Sequence, residues 1–229
     1  MRFITLLCCV FIVGQAGAEE SVAPPRKVSN CAIEHARRVQ AYYNGISDLV
    51  ADFEQTSEVA SLEGKSLGGG ESRGEVTLAK SGKMRWHYKN SDGSDASLVV
   101  TDGKTLWIYD PDAREVQRFA IEAGFLSGAA MQFLFGEGDL LQSFDVISKS
   151  CQAPVVLSLI PREAASYEKL ELEVDAKTGQ VIESAVFDIV GNVTRVRFQN
   201  VRTNQNPKPK VFSFHAPKGV RVLEPLPAF

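Results

Sequence analysis

Between residues 49 and 55 apolar and polar side chains alternate: Leu49, Ala51 and Phe53 fall on one side, Asp52 and Glu54 on the other. A period of two places successive residues on opposite faces of a strand, so this segment reads as a half-buried β-strand. The same reading predicts strands over 73–79, 83–89, 97–101, 104–109 and 115–121. It continues near 145–150, 155–161, 168–175, 180–189 and 194–203, with a short last strand at 220–223. Asp102-Gly103 carries a hairpin signal between two of these, and Ala176-Lys177-Thr178-Gly179 reads as a tight turn. Residues 63–72, with Gly68-Gly69-Gly70, are expected to form an exposed loop.

Two stretches break the period. Ile33, Ala36, Val39 and Tyr43 recur at helical spacing between Ser29 or Asn30, either of which can cap, and Gly45, which can stop the helix. Phe125 to Phe144 gathers Leu126, Met131, Phe133, Leu134, Phe135 and Leu140 into two short helical pieces separated by Gly136 and Gly138. The predicted fold class is mainly β with helices (α+β), built on a single antiparallel sheet of roughly ten strands. A sheet of that size tends to curl. The result would be an incomplete barrel closed by a short-helix lid and an N-terminal helix. Residues 19–229 carry no domain-sized linker and read as one domain.

Residues 1–18 carry Arg2, an apolar run from Phe3 to Val13 and the small-residue site Ala16-Gly17-Ala18. That is the pattern of an export signal cleaved near Ala18; an uncleaved anchor is the alternative. The apolar run is too short for a spanning helix. Without Arg2 the chain keeps 24 Lys+Arg against 28 Asp+Glu, a net of −4. Nucleic acid binding needs a basic face, so this mild acidity argues against it, and against docking on anionic lipid by charge. Cys8 and Cys9 are expected to leave with the signal, which would leave Cys31 and Cys151. In an oxidising compartment such a pair is expected as a disulfide; two buried thiols are the alternative.

The search for reactive chemistry finds no catalytic residue, metal site or cofactor motif. His35, His87 and His215 lack a ligand-spaced neighbour, and His87 is expected on the face opposite Trp86 and Tyr88. Asp110 and Asp112 flank Pro111 in a turn, where aspartate serves local backbone bonding. What remains is apolar. Met84, Trp86 and Tyr88 share a strand face, and Leu98 with Val100, Trp107 with Tyr109, and Phe187 with Ile189 extend the set. Alternation does not distinguish a filled core from a ligand cavity. The Phe-, Leu- and Met-rich lid favours the cavity, because short helices broken by glycine suit a cover that shifts.

Five blocks in order resemble the bacterial outer-membrane lipoprotein carrier (LolA) family. Residues 49–55 resemble its opening strand, Gly82-Lys83-Met84-Arg85-Trp86 its Pro-Gly-Lys-Met-Arg-Trp stretch, and residues 102–109 its hairpin. Residues 136–140 resemble its lid, and Phe212-Ser213-Phe214 with Pro217-Lys218-Gly219-Val220 its C-terminal signature. The resemblance implies a periplasmic, monomeric, non-enzymatic chaperone without cofactor. It would take acylated lipoproteins from an ATP-driven inner-membrane extractor to an outer-membrane acceptor, touching membrane complexes transiently. The cavity and lid would then be lined by Leu49, Phe53, Met84, Trp86, Val100, Met131, Leu134 and Phe135. One departure matters: the family arginine that holds the lid is replaced here, leaving Lys80 and Ser81 as candidate latch residues. The competing readings are a periplasmic lipid- or lipoprotein-sensing regulator on the same fold, and a lipid hydrolase for which no nucleophile and base can be named.

Overall fold

The computed structural model describes residues 30–60, 66–121, 138–148 and 151–224. The expected export signal and most of the expected lid, including Met131, Leu134 and Phe135, lie outside them. The chain opens with helix α1 (Asn30–Asn44), then strands β1 (Asp48–Ala60), β2 (Ser66–Ala79), β3 (Lys83–Lys89), β4 (Asp95–Asp102), β5 (Thr105–Asp110) and β6 (Glu115–Ala120). The short helix α2 (Leu140–Ser143) leads into β7 (Phe144–Ser148), β8 (Val155–Pro161), β9 (Tyr167–Val174), β10 (Val181–Asp188) and β11 (Val193–Thr203). A 3-10 turn, Pro209–Phe212, and β12 (Arg221–Leu223) complete the described chain.

All twelve described strands belong to one open sheet, in the order β12-β6-β5-β4-β3-β2-β1-β11-β10-β9-β8-β7. Two antiparallel meanders, β1–β6 and β7–β11, join where β1 pairs with β11. The fold class is as the pattern predicts, with two corrections. Gly68-Gly69-Gly70 lies within β2, where Gly69 and Gly70 pair with Glu58 and Ser57; backbone hydrogen bonding extends the hairpin through a stretch that composition alone reads as loop. The last strand, β12, runs parallel to β6, because the chain returns to that edge by way of the 3-10 turn.

Helix α1 is amphipathic, and Ala32, His35, Ala36, Val39 and Tyr43 are buried. It packs on β7, β8 and α2 and is fastened to the β9–β10 turn at several points. Tyr42 Oη donates to Gln180 Oε1 at 3.1 Å, and Val181 N–H donates to the Tyr43 hydroxyl at 3.3 Å. Arg38 Nη1 donates to the Ala176 carbonyl. Gly179, at φ +83°, approaches so closely that a Cβ there would lie 2.5 Å from the Arg38 backbone. Only glycine meets both demands. Burial pushes the Tyr43 hydroxyl far above the ordinary tyrosine range, so it stays neutral in the fold. Cys31 and Cys151 form a disulfide, with Cα atoms 5.9 Å apart, tying the start of α1 to the segment before β8.

Candidate functional site

Cross-strand register sorts the sheet into two faces, because directly paired residues point to the same side. On the inner face Leu49 pairs with Leu78, Ala51 with Val76 and Phe53 with Gly74. Beyond these stand Met84, Trp86 and Tyr88, then Thr101, Val99 and Ser97, then Leu106 and Ile108. Toward the other edge the face continues through Phe198 and Val196, Leu172 and Leu170, Leu157 and Leu159, and Val146 and Phe144.

This face has two regimes. Over β7–β9 it is filled: Phe144, Val146, Leu157, Leu159, Leu170 and Leu172 are at most 3% exposed. Over β3–β6 the inward residues Trp86, Tyr88, Val99, Ile108 and Phe119 remain half-buried, while Met84, Thr101 and Leu106, in the row paired with Leu49 and Leu78, are buried. Phe53 anchors the boundary. Its ring meets Trp86 edge-on at 4.8 Å and Tyr88 at 5.0 Å, and Trp86 reaches Phe198 at 6.4 Å. Such pairs add about 0.5–1.5 kcal/mol each beyond the area they bury. Gly74 makes room for them: it stands between Phe53 and Tyr88, and a Cβ there would lie 3.0 Å from the Phe53 ring and 1.9 Å from the His87 carbonyl oxygen. At the outer end of the cluster Tyr88 Oη donates to Gln55 Oε1 at 3.1 Å. Burial raises the Tyr88 hydroxyl above its usual range.

The structure brings Leu49, Phe53, Met84 and Trp86 together on the inner face. Val100 is a correction. It pairs with Arg85 and Trp107 and therefore faces outward, as do Leu98 and Tyr109. There Val100, fully buried, helps form a second apolar layer with Val116 and Phe212, and Tyr109 meets Phe214 at 5.5 Å. Phe187 is also outward, beneath the Lys169 ammonium 4.0 Å from its ring, and Ile189 is 72% exposed in the β10–β11 turn. His87 lies on the outer face as expected, 2.9 Å from Asp95. Lys80 Nζ donates to the Asn44 carbonyl at the end of α1, at 3.0 Å. The β2–β3 turn holds Ser81 and Gly82 at positive φ.

One end of the lid segment falls within the described residues. Asp139 caps α2 by accepting from Leu141 N–H at 2.8 Å and Gln142 N–H at 3.1 Å. Gln40 of α1 clasps the same junction, accepting from Leu140 N–H at 2.8 Å and donating to the Gly138 carbonyl at 3.3 Å. Among the residues missed by sequence reasoning, Phe198 pairs with Phe53 across 145 positions of chain; no local pattern carries that pairing. Gln55 and Gly74 did lie in recognised strands, and the in-phase position of Gln55 after Phe53 was the available signal.

The outer surface differs in kind. Arg197 bridges Glu183 at 2.8 Å and Glu173 at 3.4 Å. A recess of about 400 Å³ beside β1–β3 is bordered by the charged residues Asp52, Glu54, Arg73, Glu75 and Lys89 and also by Phe53 and Gly74. Among the described residues no cluster of three or more His, Cys, Asp or Glu could hold a metal, and no helix is long and apolar enough to cross a membrane.

The described architecture is an open sheet whose inner face is filled at one end and lined with half-buried aromatics at the other. The family described as outer membrane lipoprotein carrier protein LolA matches residues 44–215, and the chain belongs to that family. The outer-membrane lipoprotein carrier protein of Chromobacterium violaceum is 30% identical over 208 residues, covering 91% of this chain and 94% of the relative. That of Legionella pneumophila (strain Lens) is 30% identical over 191 residues, covering 82% and 89%. An uncharacterized conserved protein from Thermus thermophilus shares the fold, with a TM-score of 0.52 at 14% identity over 85% of this chain and 99% of that one. Members of this family are carriers and not enzymes.

Proposed function

We propose that the protein is a periplasmic chaperone that binds the acyl chains of lipoproteins on the inner face and moves them from the inner to the outer membrane. The observation that carries this is the half-buried aromatic and branched strip over β3–β6, next to a face whose other end is fully packed. Each buried CH₂ contributes about 0.8 kcal/mol, so an acylated protein leaves a bilayer only for a comparable apolar surface. Burial is non-directional, which suits cargo that differs in its protein part and shares its lipid part. Release then needs movement of a cover and no chemistry.

On this reading the chain is exported and cleaved near Ala18, works as a monomer, receives cargo from an ATP-driven extractor and passes it to an outer-membrane acceptor. The test is uptake of a triacylated lipoprotein from inner-membrane vesicles supplied with the extractor and ATP. The mature protein should yield a soluble equimolar complex. Failure to draw lipoprotein from the vesicles would contradict the reading and favour a sensor on the same fold.

A further inference from the structure

The inner face changes character along its strands. Reading outward from α1 along β1, its inward residues are Leu49, Ala51, Phe53, Gln55 and Ser57, opposite Leu78, Val76, Gly74, Ser72 and Gly70. The α1 end is closed and apolar, with Leu49, Leu78 and Met84 at 5%, 2% and 6% exposure. Two residues further the face becomes aromatic, and at Gln55, Ser72 and Ser97 it becomes half-buried and polar. The hydrogen bond from Tyr88 to Gln55 crosses β2 directly above the Phe53–Trp86 pair. It joins side chains of β1 and β3 over Gly74, where a side chain would intervene.

We propose that this polar end, built by Gln55 and Tyr88, receives the ester and amide groups of an acylated cysteine, with the hydrocarbon tails running toward α1. The proposal rests on the carrier reading and adds to it a headgroup subsite and a direction. A glutamine amide supplies N–H donors and a tyrosine hydroxyl both donates and accepts, which together match carbonyl acceptors and an amide N–H. The opposite insertion would press those carbonyls against Leu49, Leu78 and Met84 without partners, a loss of roughly tenfold in affinity for each. Dimensions agree: from Leu49 to Gln55 the strand rises about 20 Å, while tails that fill half of a bilayer core need about 15 Å.

The test uses a synthetic diacylglyceryl-cysteine lipopeptide whose chains carry a photoactivatable diazirine, either at the methyl end or beside the carbonyl. Each is bound to the mature protein, irradiated, and its insertion sites mapped by mass spectrometry. The methyl-end probe should label residues around Leu49, Leu78 and Met84, and the carbonyl-side probe those around Gln55, Ser72 and Tyr88. In the Gln55→Leu, Tyr88→Phe double variant, checked for native circular dichroism, binding should weaken about two- to tenfold and the polarity of labelling should scatter. Reversed or uniform labelling of the native protein, or polarised labelling that survives in the double variant, overturns the proposal and leaves the carrier reading intact. If neither probe is taken up, both fall.

Discussion

Over β7–β9 the inner face meets α1 and its aliphatic side chains are all but inaccessible, whereas over β3–β6 the same face keeps its largest side chains half-buried. Both regions arise from the same alternating strands, and among the described residues helix α1 lies over the first. The first region is covered by a helix that a disulfide, two tyrosine hydroxyls, an arginine and a glycine contact hold in place. Removing apolar cover costs free energy, so a permanently covered region adds stability and an exchangeable one can serve binding. The division separates residues that should govern folding from residues that should govern cargo.

The largest effect expected is on the fixed cover. Reducing the Cys31–Cys151 bridge frees a loop spanning 120 positions, which in the chain-entropy model costs about 4–5 kcal/mol. Chemical denaturation with and without reductant, repeated on Cys31→Ser/Cys151→Ser, measures it; an unchanged midpoint would mean that α1 is held by its other contacts alone. Next comes a pair of substitutions that should separate the two regions. Leu157→Ala, at a site with no exposure, should lose about 2–5 kcal/mol of stability and keep its acyl-chain affinity. Trp86→Ala should lose less stability and much of that affinity, as read by displacement of a fluorescent fatty acid. Equal loss of binding in both would erase the distinction.

Tyr43 predicts a pH dependence. Its hydroxyl is protonated in the fold and its folded value is raised, so its contribution is complete below the ordinary tyrosine value of about 10. It is lost as pH rises from there toward the folded value, by about 1.4 kcal/mol per pH unit. Urea midpoints above pH 10 should fall more steeply for the native protein than for Tyr43→Phe. Lys80→Ala should have the smallest effect, about 0.3–1 kcal/mol, since it removes an exposed cation from the C-terminal end of α1. Cargo release unchanged in that variant would place Lys80 with the fixed cover; faster release would make it the latch.

Most of the sheet was legible in the sequence because a half-buried strand advertises its period. The β1 alternation put Leu49 and Phe53 on one buried face, and helical spacing located α1 to its last residue. Parity failed in β4 and β5, and the physical cause is the second apolar layer. Where Phe212 and Phe214 cover the outer face, both parities of Ser97-Leu98-Val99-Val100 are apolar or neutral, so choosing Val100 over Val99 had no local basis. Gly68-Gly69-Gly70 failed for a different reason: pairing with β1 supplies what the residues lack in propensity. The Phe53–Phe198 and Tyr43–Val181 contacts depend on chain reversals that no window of sequence contains.

The most direct test of the central claim is native mass spectrometry with lipid extraction on mature protein purified from the periplasm of its host. The account predicts a bound acylated species on the native protein, lost in Trp86→Glu and retained in Lys80→Ala. Protein that emerges without lipid, or a Trp86→Glu variant that keeps its lipid, would contradict the assignment of cargo to the half-buried region of the inner face.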